Sequence, residues 1–104
     1  MKVHHIGIET ADLAGVKRIL LKKGFVLESI LELGGETLVF MKRKFLLIEL
    51  SEDLALEQCA FHICFEMKNF ESLPDFPDAE RTRYENGWES IFLPGSINIE
   101  LLKK

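Results

Sequence analysis

Three histidines, His4, His5 and His62, and two glutamates inside apolar segments, Glu49 and Glu100, are the residues of this 104-residue chain best suited to chemistry. Imidazole and carboxylate groups bind divalent ions and move protons near neutral pH. They stand too far apart in the chain for a local ligand motif, so any joint action depends on the fold. Strand alternation supplies the rule for placing them. In Lys2–Glu9, His5 shares a face with Gly7 and Glu9, opposite Ile6 and Ile8. In Phe45–Leu50, Glu49 follows Phe45 and Leu47, opposite Leu46, Ile48 and Leu50. In Cys59–Met67, His62 lies with Ala60, Cys64 and Glu66, opposite Phe61, Ile63 and Phe65. In Ser96–Leu102, Glu100 lies with Ser96 and Asn98, opposite Ile97, Ile99 and Leu101. Each of these strands has one strongly apolar face and one metal-type side chain on the other. A curved sheet would gather the four inside its cup. Singly, a strand histidine is ordinarily a hydrogen-bonded structural group and a glutamate a solvated one. Two of each on corresponding faces bring the metal reading level with that ordinary one.

The neighbours of these residues read differently. By alternation His4 points away from His5, onto the face of Ile6, as a structural or exposed strand-end residue. Glu9 and Glu66 share faces with His5 and His62 and read as solvated rim groups, second in line as bases. Cys64 shares the face of His62 but reads as a core thiol. Cys59 and Cys64 would point to opposite faces of one strand, so no disulfide is expected between them. Tyr84 and Trp88 flank a hairpin and read as packing residues.

The elements that must hold these groups follow from pattern. Thr10 and Asp12 supply helix-start chemistry, and Leu13, Val16, Ile19 and Leu20 have helical spacing. Lys22, Lys23 and Gly24 mark the helix end. Strands follow over Phe25–Leu33, Glu36–Met41 and Phe45–Leu50, turning at Gly34-Gly35 and at Lys42–Lys44. The second half repeats the order imperfectly. After an acidic connector, Ser51–Gln58, with room for one helical turn, comes the strand Cys59–Met67. Lys68–Ala79 holds Pro74 and Pro77, which exclude a helix of normal length. Arg81–Glu85 and Trp88–Leu93 form a hairpin about Asn86-Gly87, and Pro94-Gly95 turns the chain into Ser96–Leu102. The reading is thus one domain over 1–104, with β-α-β-β-β in about 1–50 and a helix-trimmed copy in about 59–104.

Composition excludes several classes of function. The net charge of −4 offers no nucleic-acid footprint, and Lys42-Arg43-Lys44 reads as a solvated turn. The longest apolar runs, such as Phe45–Ile48, are strand-sized and too short to cross a bilayer. The chain enters Val3-His4-His5-Ile6 without a signal-peptide core, so a cytoplasmic location is expected.

Four pieces in order carry a family resemblance. His5-Ile6-Gly7-Ile8 with Asp12-Leu13 resembles the opening of glyoxalase I and methylmalonyl-CoA epimerase relatives, and Leu47-Ile48-Glu49-Leu50 is similar to their fourth strand. Phe61-His62-Ile63 resembles the start of their second module, and Asn98-Ile99-Glu100-Leu101-Leu102 their closing strand. The resemblance, to the vicinal oxygen chelate superfamily, spans nearly the whole chain. It implies an α+β fold of two βαβββ-type modules forming a cupped mixed sheet. It also implies one divalent metal ion (Zn, Ni, Co, Mn or Fe) held by His5, Glu49, His62 and Glu100. The chain departs from the family pattern in three places. Leu93-Pro94-Gly95-Ser96 replaces an Asp-Pro-Asp-Gly turn, Ile19-Leu20-Leu21 stands where the first helix has an aromatic pair, and the second helix is lost.

The implied activity is that of a metal-dependent lyase or isomerase of the glyoxalase I or methylmalonyl-CoA epimerase type. It would promote proton transfer on a small α-oxygenated carbonyl or thioester substrate, with Glu100, or else Glu49, as the base. The alternative is a non-catalytic small-molecule-binding module of the bleomycin-resistance type. An iron-dependent ring-cleaving dioxygenase fits less well, since those relatives match three ligands and Glu49 would be a superfluous fourth. Neither nucleic acid nor membrane is an expected partner. A homodimer is expected, because Phe61, Ile63, Phe65, Ile97, Ile99 and Leu101 form an apolar face with only Phe70, Leu73 and Phe76 to cover it.

Overall fold

Alternating strands and short turns close into one eight-stranded mixed sheet in the computed structural model, which describes residues 2–71, 73, 79–93 and 98–104. The elements are β1 (Lys2–Thr10), α1 (Leu13–Lys22), β2 (Val26–Leu33), β3 (Glu36–Arg43) and β4 (Leu46–Glu52), then β5 (Ala60–Glu66), β6 (Glu80–Arg83), β7 (Glu89–Leu93) and β8 (Asn98–Lys103). Across the sheet they run β2-β3-β4-β1-β5-β8-β7-β6. The pairs β1–β4 and β5–β8 are parallel and the rest antiparallel. This is the expected α+β architecture, a curled sheet with, among the described residues, one short helix.

Helix α1 begins where expected. The Asp12 carboxylate accepts from the Gly15 amide at 3.0 Å, and Glu52 of β4 accepts from the Leu13 amide at 3.2 Å. It ends at Gly24, whose φ of +92° suits a residue without Cβ. Leu13, Val16 and Leu20 lie against Ile48 and Leu50 of β4, with Phe25, Val39 and Met41 completing the core of the first half. Ile19, expected on that apolar side, is exposed instead.

Other differences are local. The second hairpin turns at Lys44-Phe45, with Lys44 in the left-handed region at φ +55°. Phe45, expected in the strand beside Glu49, therefore sits at a fully exposed turn tip. The connector after β4 makes a turn and no helix, its Asp53 side chain accepting from the Ala55 amide. Among the described residues no helix follows β5, and no helix is long and apolar enough to cross a membrane. The expected Pro94-Gly95 turn, Ile97 and Phe76 lie outside the described residues. On the outer face of the second half Ile91 and Leu101 are buried, and Ile63, Phe65 and Ile99 are half-buried. Phe61 remains 58% exposed.

The registers that matter for the site run through the four central strands. Gly7 of β1 stands opposite His62 of β5, and His5 stands opposite Cys64. Glu49 of β4 lies beside Gly7, and Glu100 of β8 lies beside Cys64.

Candidate metal centre

Because β4, β1, β5 and β8 are neighbours, the alternation that turns Ile48, Ile6, Ile63 and Ile99 outward turns Glu49, His5, His62 and Glu100 into the cup. Their ends converge. His5 Nε2 lies 3.1 Å from His62 Nε2, 3.3 Å from Glu49 Oε2 and 3.6 Å from Glu100 Oε1. His62 Nε2 lies 3.5 Å from Glu100 Oε1 and 3.9 Å from Glu49 Oε1. Donor atoms sharing one ion at ~2.0–2.2 Å lie ~3 to 4.3 Å apart. All five separations fall in that range, and one donor each from His5, Glu49 and His62 lie mutually within 4.8 Å. The four sequence-selected residues are thus brought close together within one chain, and three of them, His5, Glu49 and His62, form a group that could hold a metal ion, with Glu100 beside the two imidazoles.

The close approach of His62 depends on Gly7. A Cβ at Gly7 would overlap the His62 imidazole, so only a hydrogen there leaves room for the ring against the β1 backbone. Phe92 closes the far side, edge-on to His62 with ring centroids 6.4 Å apart.

His4 is placed where alternation does not put it. The β1–β5 ladder shifts register between Val3 and His5, leaving His4 as the extra residue of a β-bulge. The bulge breaks alternation and swings His4 onto the side of His5, so the expectation that it points away is corrected. His4 Nδ1 lies 2.7 Å from His5 Nδ1, and its ring meets Trp88 edge-on at 6.4 Å. Both nitrogens of His5 are therefore engaged, Nε2 by the donor cluster and Nδ1 by His4. A hydrogen bond to the second nitrogen fixes the tautomer and orientation of a histidine ligand.

Burial sets the electrostatics. Desolvation pushes Glu49 up to about 7 and holds His5 down at about 4. Burial opposes charge at His62 too, but the Glu100 hydrogen bond and the charges of Glu49 and Glu100 outweigh it and raise His62. Burial likewise would raise Glu100, yet its hydrogen bond to His62 and the charges of His62 and His5 leave it lowered. The Cys64 thiol is driven far up by burial and by the adjacent Glu100, a protonated core group as expected. Glu66 is paired with Lys104 at 3.2 Å and Lys2 at 3.6 Å, at the end of β5 and outside the donor cluster.

Beside the donors opens a cavity of about 180 Å³. Its walls include Leu33, Leu38, Phe40, Phe92 and Leu102, and Glu9 and Glu36. Tyr84 and Trp88, which pattern assigns to packing, line it as well. Their position on a hairpin next to β8 follows from the sheet order, which local sequence does not reveal. Tyr84 is held over the cup by Ser90 at 3.4 Å.

No protein-family model matches the chain, and no curated protein matches it significantly. Solved structures do match. A hypothetical protein from Bacillus halodurans C-125 is 20% identical, with a TM-score of 0.73 over 99% of this chain and 94% of that one. Methylmalonyl-CoA epimerase from Mycobacterium tuberculosis is 14% identical, with a TM-score of 0.69 over 98% and 87%. A glyoxalase/bleomycin resistance protein/dioxygenase superfamily member from Vibrio splendidus 12B01 is 11% identical, with a TM-score of 0.68 over 99% and 100%. With two such neighbours matched over nearly their full length, and the cupped sheet already described, the chain has the vicinal oxygen chelate, or glyoxalase-like, fold.

Proposed function

We propose that the cup binds one divalent metal ion through His5, Glu49, His62 and Glu100. On this reading the protein is a metal-dependent lyase or isomerase that moves a proton on a small α-oxygenated carbonyl or thioester compound. The observation that carries the reading is the convergence of side chains from four strands, with the two imidazoles 3.1 Å apart and a carboxylate oxygen of Glu49 and of Glu100 3.3–3.9 Å from each imidazole. A hydrogen-bonded pair needs two groups; two imidazoles and two carboxylates aimed at one point match a borderline ion such as Zn²⁺, Ni²⁺, Co²⁺, Mn²⁺ or Fe²⁺. When bound, such an ion supplies Lewis-acid stabilisation of negative charge developing on substrate oxygens. The chain's own part is to orient the substrate against the apolar wall, exclude water, and take the C–H proton on a carboxylate. Glu100 is the assigned base, with Glu49 the other carboxylate in reach. His4 holds His5 in its ligating tautomer.

The test has two readouts. Added metal should raise the melting temperature, because the ion binds the native state preferentially. Glu100→Gln should then slow proton exchange in a turned-over substrate about a hundredfold or more, while metal affinity falls far less. An unchanged melting temperature with all of these ions would remove the metal reading. Metal binding without turnover of any hemithioacetal, hydroxycarbonyl or thioester would leave a binding module.

The half-covered outer face of β5 and β8 takes a second copy of this chain in the same proposal. Val3 and Phe61 lie there more than half exposed, beside half-buried Ile63, Phe65 and Ile99. Sedimentation at micromolar concentration should report a homodimer, and Phe61→Ser should shift it to monomer. A monomeric parent chain would sink this part alone.

A further inference from the structure

The charges around the cavity restrict its ligand beyond the metal reading. Its walls carry the carboxylates Glu9, Glu36, Glu49 and Glu100 and, among the described residues, no lysine or arginine. The residues outside the described set contain neither type, so they bring no such cation to the cup. Lys104 stands nearby, its ammonium over the Trp88 ring, but Glu66 holds it at 3.2 Å. In the neighbouring cleft, which shares Leu33 and Tyr84 with this cavity, Arg83 is engaged by Glu89 at 3.1 Å and is accompanied by Glu32 and Glu85. A divalent ion would be balanced by Glu49 and Glu100 alone, leaving Glu9 and Glu36 uncompensated. An added negative charge on the ligand would therefore meet two carboxylates at short range with no partner to offset them.

Size narrows the class further. The cavity of about 180 Å³ is not much larger than the ~150 Å³ space that holds a benzene molecule. Its apolar wall of Leu33, Leu38, Phe40, Phe92, Leu102 and Trp88 suits a hydrocarbon or aromatic flank. Resting on the metal reading, we infer that this site selects small, uncharged molecules that present two neighbouring oxygens to the ion and an apolar flank to the wall, and that it rejects anionic ones. Substrates whose negative charge must enter the cup, such as free dicarboxylates or peptide-like thiol conjugates, fall outside the class.

The decisive probes share one chelating head and differ only in remote charge. The monohydroxamate of succinamide is neutral, and that of succinic acid is its near-isosteric anion; both offer two adjacent oxygens. Titrated into the Co²⁺-loaded protein and followed by the visible cobalt bands, the amide should bind at least about tenfold tighter than the acid. The double variant Glu9→Gln/Glu36→Gln should bring the two affinities to within about threefold by strengthening the acid, since the amide meets no charge to lose. Equal or tighter binding of the acid to the parent protein would overturn the inference while leaving the metal site intact. An unchanged ratio in the double variant would overturn the assignment of selection to Glu9 and Glu36. Failure of Co²⁺ to bind at all would instead overturn the metal reading, and the inference with it.

Discussion

Gly7→Ala is expected to abolish metal binding while leaving the chain folded. The new methyl would occupy the space of the His62 ring, and the ring, at the end of a rotatable side chain, would swing out of the cup. Overpacking of this kind costs about 1–3 kcal/mol, which a domain of this size survives. The site would not survive it, because His62 contributes one of two imidazoles to the cluster. Loss of a supporting hydrogen bond alone costs a metal site about 10–100-fold, so displacement of a ligand should cost at least the upper figure. Isothermal titration with Zn²⁺, beside far-ultraviolet circular dichroism, checks both halves. The effects of Gly7→Ala and His62→Ala should not add, since the first acts through the second. Wild-type affinity in Gly7→Ala would mean that His62 is not a ligand.

Glu49→Gln is expected to stabilise the metal-free protein at pH 8. An unfolded glutamate releases its proton near pH 4.5, whereas burial keeps that of Glu49 until about pH 7 in the folded chain. Between those values the folded state holds the extra proton. The contribution of Glu49 is therefore full below about pH 4.5 and is lost as pH rises through about 7. Above that pH the carboxylate is charged in a setting where its side chain is only 14% exposed. The difference corresponds to about 3 kcal/mol at most. A neutral amide escapes the loss, so chelator-treated Glu49→Gln should be the more stable protein at pH 8 and the two should converge near pH 4.5. With saturating Zn²⁺ the advantage should vanish, because an amide is the poorer ligand. Urea titrations at both pH values measure this. A parent protein that is no less stable at pH 8 without metal would refute the burial argument.

Much of this arrangement is legible in the amino-acid sequence, for reasons visible in particular residues. Ile6, Ile48, Ile63 and Ile99 announce the outward face of each central strand, so His5, Glu49, His62 and Glu100 follow by parity. Asp12, Gly24 and Asn86-Gly87 mark ends and turns through chemistry that needs no tertiary context. What escapes such a reading has a common cause. A bulge shifts parity by one residue, and nothing local in Val3-His4-His5 says that His4 is the extra one. Phe45 looks like a strand residue but is carried to a turn tip by where the hairpin closes. Tyr84 and Trp88 reach the cup only through the order of strands across the sheet. The need for glycine at position 7 is likewise a cross-strand matter, since the ring that occupies the space belongs to a residue far along the chain.

The registers of the central strands have an ancestral reading. His5 faces Cys64 while His62 faces Gly7, and each glutamate lies beside the residue two places beyond its histidine, Glu49 at Gly7 and Glu100 at Cys64. A half-turn about an axis through the β1–β5 seam therefore exchanges His5 with His62 and Glu49 with Glu100. Each half supplies one imidazole and one carboxylate to the cluster, and a peptide of one half, paired with its own copy about that axis, would display two of each. Such a chain needs duplication and fusion only to let the halves diverge. Away from the axis the halves differ, since among the described residues only the first carries a helix. At the axis Ile6 matches Ile63 and the histidines and glutamates match, while Gly7 stands against Cys64, a hydrogen on one side and a thiol on the other.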